Sequence, residues 1–199
     1  MLSKRVQPNL KPIALYEHFS RALSNVYHPI HNPTGIISLG IAENSLMHRE
    51  LTDFLRHNLK LSATQLGYGG VHLKSLFAGL VHLYNTEFRA AVPVKPEHIH
   101  ITSGVTALLD QCFWTLCDEG DGVLIGRPMY GGFIVDMSTR AKLTAVPVSL
   151  KDLHPFAPEV IQRYEDCLLS ARKRGIHVRV LVLCNPHNPL GQCVMSRQW

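Results

Sequence analysis

The most informative stretch of the chain is VRVLVLCNPHNPLG, which runs from Val178 to Gly191. Its first part, Val178–Cys184, is almost continuously apolar, which is typical of a strand buried on both faces of a parallel sheet. The two Asn-Pro pairs that follow predict a rigid loop, because proline fixes φ and lacks an N–H donor. Ligands of open α/β sheets bind past the carboxyl ends of strands. We therefore expect the Asn188 amide to be held in one orientation and to hydrogen-bond a ligand.

Strands and helices alternate in the hundred residues before this loop. Short apolar runs predict strands at His98–Thr102, Gly122–Gly126 and Leu143–Val148. Two amphipathic helices are predicted between the strands, from Val105 and from about Pro158 to Gly175. The expected apolar residues of these helices are Val105, Leu108, Leu109, Cys112, Phe113 and Leu116 in the first, and Val160, Ile161, Tyr164, Leu168 and Ala171 in the second. This alternation predicts an α/β fold with a mostly parallel sheet and flanking helices.

The N-terminal third has a different character. Residues 1–35 form an arm rich in proline, histidine and asparagine, from which we expect little core. Helical spacing of apolar residues predicts helices over about 46–59 and 73–88, separated by the glycine-rich run Gly67–Gly70.

A strand-to-helix junction at Thr102–Thr106 has the features of an anion site. The first N–H groups of a helix have no partner within the helix, and together with the helix dipole they attract phosphate. Gly104 would allow close approach of the backbone, and Ser103 and Thr106 add hydroxyl groups. The same residues are also what an ordinary helix cap requires. The position of the junction, directly after a predicted strand, favours the phosphate interpretation.

An aromatic residue among glycines follows the strand at Gly122–Gly126. The segment is Gly126–Phe133, and Tyr130 stands within it beside two glycines. A ring at a strand end can stack on a flat ligand, and the glycines suggest that something flat comes close. The alternative is that Tyr130 is a tyrosine of the core.

Composition excludes several classes of protein. The chain has 46% hydrophobic and 18% charged residues, and its apolar runs are far shorter than the roughly 20 residues that a membrane-spanning helix needs. The net charge is +5, but lysine and arginine are dispersed, so we expect no nucleic-acid partner. Five cysteines without a C-x-x-C pair suggest burial as small apolar residues and a reducing, cytoplasmic location. His98 and His100 lack a third ligand at a recognisable spacing, so no metal site is expected.

Taken together, these motifs resemble fold-type I enzymes that depend on pyridoxal 5′-phosphate (PLP). The loop at 185–191 is similar to the N-P-x-N-P-[TL]-G motif of aminotransferases of classes I and II. The resemblance implies that Asn188 contacts the 3-hydroxyl oxygen of PLP and that the ring of Tyr130 stacks on the pyridine. It also implies that the phosphate is held by four residues of the junction, namely Ser103, Gly104, Val105 and Thr106.

The branch of the family is indicated by residues 27–44. This segment is similar to the N-terminal part of 1-aminocyclopropane-1-carboxylate synthase and of fungal relatives that include aminotransferases of secondary metabolism and carbon-sulfur lyases. By that resemblance Ala42 and Glu43 line the substrate end of the site, where Glu43 would influence substrate choice. A solvated loop carboxylate is the alternative for Glu43. The family's phosphate-contacting tyrosine falls at Leu66, so either Tyr68 takes that role or the contact is lost.

The resemblance covers nearly all of this chain but about half of a family member. Residues 1–70 would be the N-terminal arm with part of the small domain, and residues 71–199 an incomplete N-terminal part of the large PLP-binding domain. The family's cofactor lysine comes well after the Asn-Pro loop, whereas the last lysine here is Lys173. We therefore expect no catalytic residue in this chain and no activity from it alone. We also expect only the second and third of the four predicted strands to be neighbours, as the others would pair with later strands.

Two functional classes follow from this resemblance. The chain would belong to an enzyme that acts on an amino acid and is a homodimer in its full-length form, of which residues 1–199 are a truncated or inactive portion. Alternatively, it would be a non-catalytic protein, either a decayed paralogue or an interaction partner of an intact homologue.

Overall fold

The computed structural model describes residues 2–4, 6–11, 13–60, 63–67, 73–155 and 157–193. The chain divides into two compact units, the first made of residues 1–21 and 102–199 and the second of residues 22–101. In chain order the longer elements are helices α1 (Ala14–Leu23), α2 (His48–Asn58), α3 (Lys74–His82) and α4 (Val105–Leu116), strand β1 (Gly122–Arg127), helix α5 (Gly132–Ser138), strand β2 (Thr144–Ser149), helix α6 (Val160–Lys173) and strand β3 (Val178–Val182). Short 3-10 turns at Gln7–Leu10, Ala63–Leu66 and Pro96–His98 and a π-helical turn at Leu83–Glu87 complete these elements.

The first unit contains a three-stranded parallel sheet, in which the strand order is β2-β1-β3. In the register, Ile125 of β1 lies opposite Pro147 of β2 on one side and opposite Val182 of β3 on the other. β1 is therefore the central strand, and Gly122–Gly126 are all buried, as the apolar run predicted. The α/β class and the helices that flank a parallel sheet are confirmed.

The strand order corrects the prediction that only the second and third strands would be neighbours. The fourth predicted strand, now β3, pairs directly with β1, with Leu124 opposite Leu181. It occupies the edge of β1 that β2 leaves open, and no other strand of the described residues lies between them. The hydrogen-bonding groups of both edges of β1 are thereby satisfied.

The predicted strand at His98–Thr102 is the second correction. His98 is the last residue of the Pro96–His98 turn, and Ile99 has extended dihedral angles (φ −111°, ψ 124°), but no strand forms. A strand exists only where a second strand supplies hydrogen-bond partners. No described segment pairs with this one in a sheet, so the residues remain an extended link into α4.

Two apolar clusters cover the two faces of the sheet. On one face, Val123 and Ile125 pack with Phe113 of α4 and Met137 of α5. On the other face, Leu124 packs with α6 through two of its residues, which are Val160 and Ala171. Alternate residues of β1 thus enter opposite clusters, which is the expected period of a strand.

Helix α4 buries less of its predicted apolar face than its spacing suggests. Phe113 is 2% exposed, but Val105 is 66% and Leu116 53% exposed, and Cys112 is also exposed. The helix meets the core mainly at Phe113 and Leu109, near its middle. The apolar ends of the helix therefore extend past the part of the sheet that it covers.

Helix α6 begins two residues after Pro158 and ends at Lys173, two residues before the predicted end at Gly175. Gly175 has φ +78°, and its N–H donates to the carbonyl of Arg172 while the N–H of Ile176 donates to that of Ala171. This pair of bonds is the Schellman arrangement, which favours glycine at the left-handed position. Ile161, predicted to be buried, is 46% exposed, because α6 contacts the sheet through the face that carries Val160 and Ala171.

In the second unit, α2 and α3 occur where helices were predicted. The apolar residues of α2, Leu51, Phe54 and Leu55, are nevertheless all more than half exposed, and so is Leu59 directly after the helix. Among the residues that the structure describes, no helix is both long and apolar enough to cross a membrane.

Candidate functional site

Two of the predicted ligand-binding residues follow the carboxyl ends of adjacent strands. β1 ends at Arg127 and is followed by Tyr130, and β3 ends at Val182 and is followed by the loop with Asn188. Because β1 and β3 are parallel, hydrogen-bonded neighbours, both loops leave the same edge of the sheet. We call this the carboxyl edge; it is the position at which α/β sheets bind ligands.

The Asn-Pro loop is closed by its own backbone. The N–H of His187 donates to the carbonyl of Gln192 at 2.7 Å, and the N–H of Gly191 donates to the carbonyl of His187 at 2.8 Å. Gly191 has φ +64°, a conformation that glycine adopts without strain. Asn188 lies inside this closed turn with its side chain exposed, as a residue that receives a ligand should be.

The imidazole of His187 is partly enclosed by the same loop. Burial lowers the pKa of His187 below its ordinary value of 6.5, so the ring is neutral at physiological pH. The residue next to Asn188 therefore adds no positive charge to the carboxyl edge.

Tyr130 is placed by the glycine two residues after it. A Cβ atom on Gly132 would lie 2.7 Å from Cζ and 2.9 Å from the hydroxyl oxygen of Tyr130, so the ring occupies the space that a side chain would fill. The ring also meets Phe133 edge to face, with centroids 5.5 Å apart. Tyr130 is 41% exposed and is not a core tyrosine; its ring is available at the carboxyl edge.

The start of α4 has the backbone of an open anion site. Gly104 is the N-cap with φ +99° and ψ 170°, and no side chain caps the helix. The hydroxyl of Thr102 donates to the carbonyl of Gly104 at 2.9 Å, which turns the chain into the helix. No acidic residue lies in the first turn, and the space beside Gly104 is empty to 4 Å. Exposed Ser103 adds a hydroxyl to the first-turn amides.

The direction of α4 brings this start to the carboxyl edge. At the other end of the helix, the carbonyl of Leu116 accepts a hydrogen bond from Nε of Arg179, the second residue of β3, at 3.2 Å. α4 therefore ends where β3 begins. Twelve residues of helix span about 18 Å, so the first turn of α4 lies towards the opposite edge, where β1 and β3 end.

Thr106, the second residue of α4, is exposed, and Asp136 of α5 is half-buried. Burial raises the pKa of Asp136, Thr106 opposes that rise, and the charge of Asp110 adds to it. Asp136 was missed in the sequence; the only signal is that it is the one charged residue of the apolar helix Gly132–Ser138.

The chemical groups at this edge match the phosphate, the pyridine ring and the 3-oxygen of PLP. Free helix amides and a serine hydroxyl match a phosphate, an exposed aromatic ring matches a pyridine, and a primary amide matches a phenolic oxygen. Groups of three or more metal-ligating side chains do not occur among the described residues.

The remaining predicted residues belong to the second unit or fall outside the described residues. Ala42 and Glu43 are exposed residues of an irregular loop in the second unit. Tyr68, the candidate for the inter-subunit phosphate contact, falls outside the described residues, as do Gly69 and Gly70. The cysteines form no disulfides; Cys112 and Cys193 are exposed, and the other three are half-buried.

Comparison with known proteins identifies one family. The model of aminotransferase class I and II matches residues 34–199, which include every candidate residue described above.

Individual relatives extend the comparison. The chain is 33% identical over 197 residues to probable aminotransferase sirI of Leptosphaeria maculans, covering 97% of this chain and 46% of that protein. It is 32% identical over 188 residues to probable inactive 1-aminocyclopropane-1-carboxylate synthase-like protein 2 of Homo sapiens, covering 88% and 32%. An archaeal alanine:glyoxylate aminotransferase has the same fold, with a TM-score of 0.72 at 21% identity over 99% of this chain and 47% of that one. The chain thus spans less than half the length of these relatives.

Proposed function

Because the chain belongs to the aminotransferase class I and II family, whose members depend on PLP, we propose that its carboxyl-edge loops bind PLP. The observation that carries the proposal is the convergence of three loops on one sheet edge. They bring an open helix start, the exposed ring of Tyr130 and the exposed amide of Asn188.

Each loop has one task in this proposal. The amides of Val105 and Thr106 and the hydroxyl of Ser103 donate to the phosphate, and Gly104 leaves room for it. The ring of Tyr130 stacks on the pyridine, and Asn188 donates to the 3-oxygen. When bound, PLP supplies an electron sink for bond changes at the α-carbon of an amino acid.

Finer features of the proposal rest on the branch of the family. We propose an amino-acid substrate, with Ala42 and Glu43 at the substrate end, and an enzyme of the 1-aminocyclopropane-1-carboxylate synthase-like branch that is a homodimer in full-length form. Residues 1–70 then form the arm and part of a small domain, and residues 71–199 begin the PLP-binding domain. A reducing cytoplasm is consistent with cysteines that form no disulfides.

Replacing Asn188 with alanine should weaken PLP binding at least about tenfold, since a hydrogen bond to a charged oxygen contributes about 1.5–3 kcal/mol. The dissociation constant is measured by absorbance titration with PLP. Asn58→Ala is a matched control, because Asn58 ends α2 in the second unit; it should leave the constant unchanged. Equal constants for the wild-type chain and Asn188→Ala would exclude the role of Asn188.

We further propose that residues 1–199 alone do not convert an amino acid. Lys173 is in the last turn of α6, just before β3 begins, which places it at the edge opposite the proposed site. After addition of PLP and borohydride, peptide mapping should therefore show scattered, substoichiometric lysine modification. One lysine modified stoichiometrically, with Lys151 after β2 the first to inspect, would contradict this proposal.

A non-catalytic role is the second candidate, and the similarity to a human protein whose name describes it as probable inactive favours it. The alternative predicts that the chain binds an intact homologue. Co-purification of tagged residues 1–199 with an intact homologue expressed in the same cells would support it, and a chain that elutes alone would not.

A further inference from the structure

The carbonyl oxygen of Gly104 accepts two hydrogen bonds at the start of α4. The hydroxyl of Thr102 donates to it at 2.9 Å, and the backbone N–H of Leu108 donates to it at 3.2 Å. The bond from Leu108 is the first backbone bond of the helix, whereas Thr102 lies two residues before the N-cap. The Gly104 carbonyl is therefore held from outside the helix as well as from within it.

The direction of this carbonyl fixes the direction of the next N–H. A trans peptide unit is planar, so its C=O and N–H bonds point in opposite directions. The unit that contains the Gly104 carbonyl is trans and ends in the N–H of Val105, the first residue of α4. Because the carbonyl is held along the helix towards Leu108, the N–H of Val105 points out of the helix start, towards the position proposed for the phosphate.

Gly104 leaves this peptide unit with few other restraints. Its dihedral angles (φ +99°, ψ 170°) lie in a region that is essentially open to glycine alone. A side chain at this position would meet no atom within 4 Å, so no packing restricts rotation there. The bond from Leu108 belongs to the terminal turn, and helix ends fray. The hydroxyl of Thr102 is thus the restraint that does not depend on that turn.

The same hydrogen bond also restrains Ser103. It joins the residues on either side of Ser103 and closes a short ring of the chain, at whose tip Ser103 is exposed. The hydroxyl of Ser103 and the N–H of Val105 are both donors to the phosphate in the proposed function. Thr102 itself is half-buried. A hydroxyl has one proton to donate, and that of Thr102 is used by Gly104, so one bond holds two ligand donors in place.

We propose that Thr102 is a positioning residue of the phosphate site: its hydroxyl fixes the Gly104 carbonyl and, through that peptide unit, directs the N–H of Val105 at a phosphate. This role of Thr102 rests on the proposed function, because it explains how the donors of that site are held. Thr102 acts through Gly104 and does not touch the ligand. Loss of its hydroxyl therefore weakens the contacts with the phosphate and leaves those with the ring unchanged.

The test uses ligands without the aldehyde of PLP, which would react with exposed lysines. Pyridoxine 5′-phosphate and pyridoxine are titrated calorimetrically into the full chain as wild type, Thr102→Val and Thr102→Ser. Valine keeps the shape of threonine without the hydroxyl, and serine keeps the hydroxyl without the methyl group. We expect Thr102→Val to bind the phosphate ester about fivefold more weakly, as the loss of one hydrogen bond would produce, and to bind pyridoxine unchanged. Thr102→Ser should bind both ligands as the wild type does.

Thr115→Val is the matched control on the same helix. The hydroxyl of Thr115 also donates to a backbone carbonyl, that of Gln111, at 2.8 Å, but it does so near the far end of α4. This variant should leave both affinities unchanged. Thr102→Ala removes the hydroxyl with a smaller side chain and keeps the test valid if Thr102→Val fails to fold; it should show the same fivefold loss.

Three results would overturn the role of Thr102 alone, in a wild-type chain that prefers the phosphate ester. They are an unchanged preference in the variants without the hydroxyl, an equal loss for both ligands, and a loss in Thr102→Ser or Thr115→Val as large as that in Thr102→Val. If the wild type itself does not prefer the phosphate ester, the proposed function fails and the role of Thr102 fails with it.

Discussion

Replacing Phe113 with alanine should lower the free energy of unfolding by about 3–5 kcal/mol. Phe113 is 2% exposed and joins α4 to β1 and α5 through contacts with Val123, Ile125 and Met137. Removing the ring leaves a cavity that β1, the central strand, cannot collapse to fill. Since domains are stable by about 5–15 kcal/mol in total, the loss would be a large part of the stability.

Urea unfolding followed by circular dichroism measures this loss. Leu116→Ala is the matched control, because it removes a large apolar side chain from the same helix at a position that is 53% exposed. It should cost no more than about 0.5 kcal/mol, as surface substitutions do. Comparable losses in the two variants would show that α4 is not anchored through Phe113.

The second large effect is expected at Val105, the first residue of α4. Val105→Glu adds a carboxylate to a helix start that has no acidic residue and whose valine is 66% exposed. A negative charge there favours the helix by about 0.3–1 kcal/mol. The midpoint temperature of unfolding should therefore stay the same or rise. The same charge repels a phosphate, and we expect the affinity for pyridoxine 5′-phosphate to fall at least tenfold, about 1.4 kcal/mol.

Val105→Gln is the control for this charge, because glutamine has nearly the same size and shape as glutamate but is neutral. It should bind the phosphate ester as the wild type does, while pyridoxine should be insensitive to either substitution. If glutamate and glutamine at position 105 reduce binding equally, the effect is steric and the first turn of α4 is not the phosphate site. Opposite changes in stability and affinity distinguish the prediction from simple loss of folding.

The sequence predicted those features that depend on neighbouring residues. The apolar run at Gly122–Gly126 became the buried centre of the sheet, and α6 ends just before Gly175, whose left-handed conformation glycine allows. The two Asn-Pro pairs and Gly191 predicted a loop after the last strand, where the structure has a closed turn. Local backbone preferences determine each of these features.

Features that depend on distant partners could not be predicted in the same way. Residues 98–102 have the composition of a strand, but a ladder requires a partner, and none pairs with them among the described residues. The placement of β3 beside β1 likewise depends on which edge is free. The raised pKa of Asp136 could not be predicted either, because burial is its largest cause and burial depends on the packing of α5 in the fold.

The central claim is that the carboxyl edge of this chain holds the phosphate, ring and 3-oxygen of PLP. Calorimetric titration of the wild-type chain with pyridoxine 5′-phosphate and with pyridoxine tests it most directly, because the two ligands differ only in the phosphate that the first turn of α4 would bind. We expect the phosphate ester to bind at least about tenfold more tightly, as two or three added hydrogen bonds would produce. Equal affinities for the two ligands, or no binding of either, would contradict it.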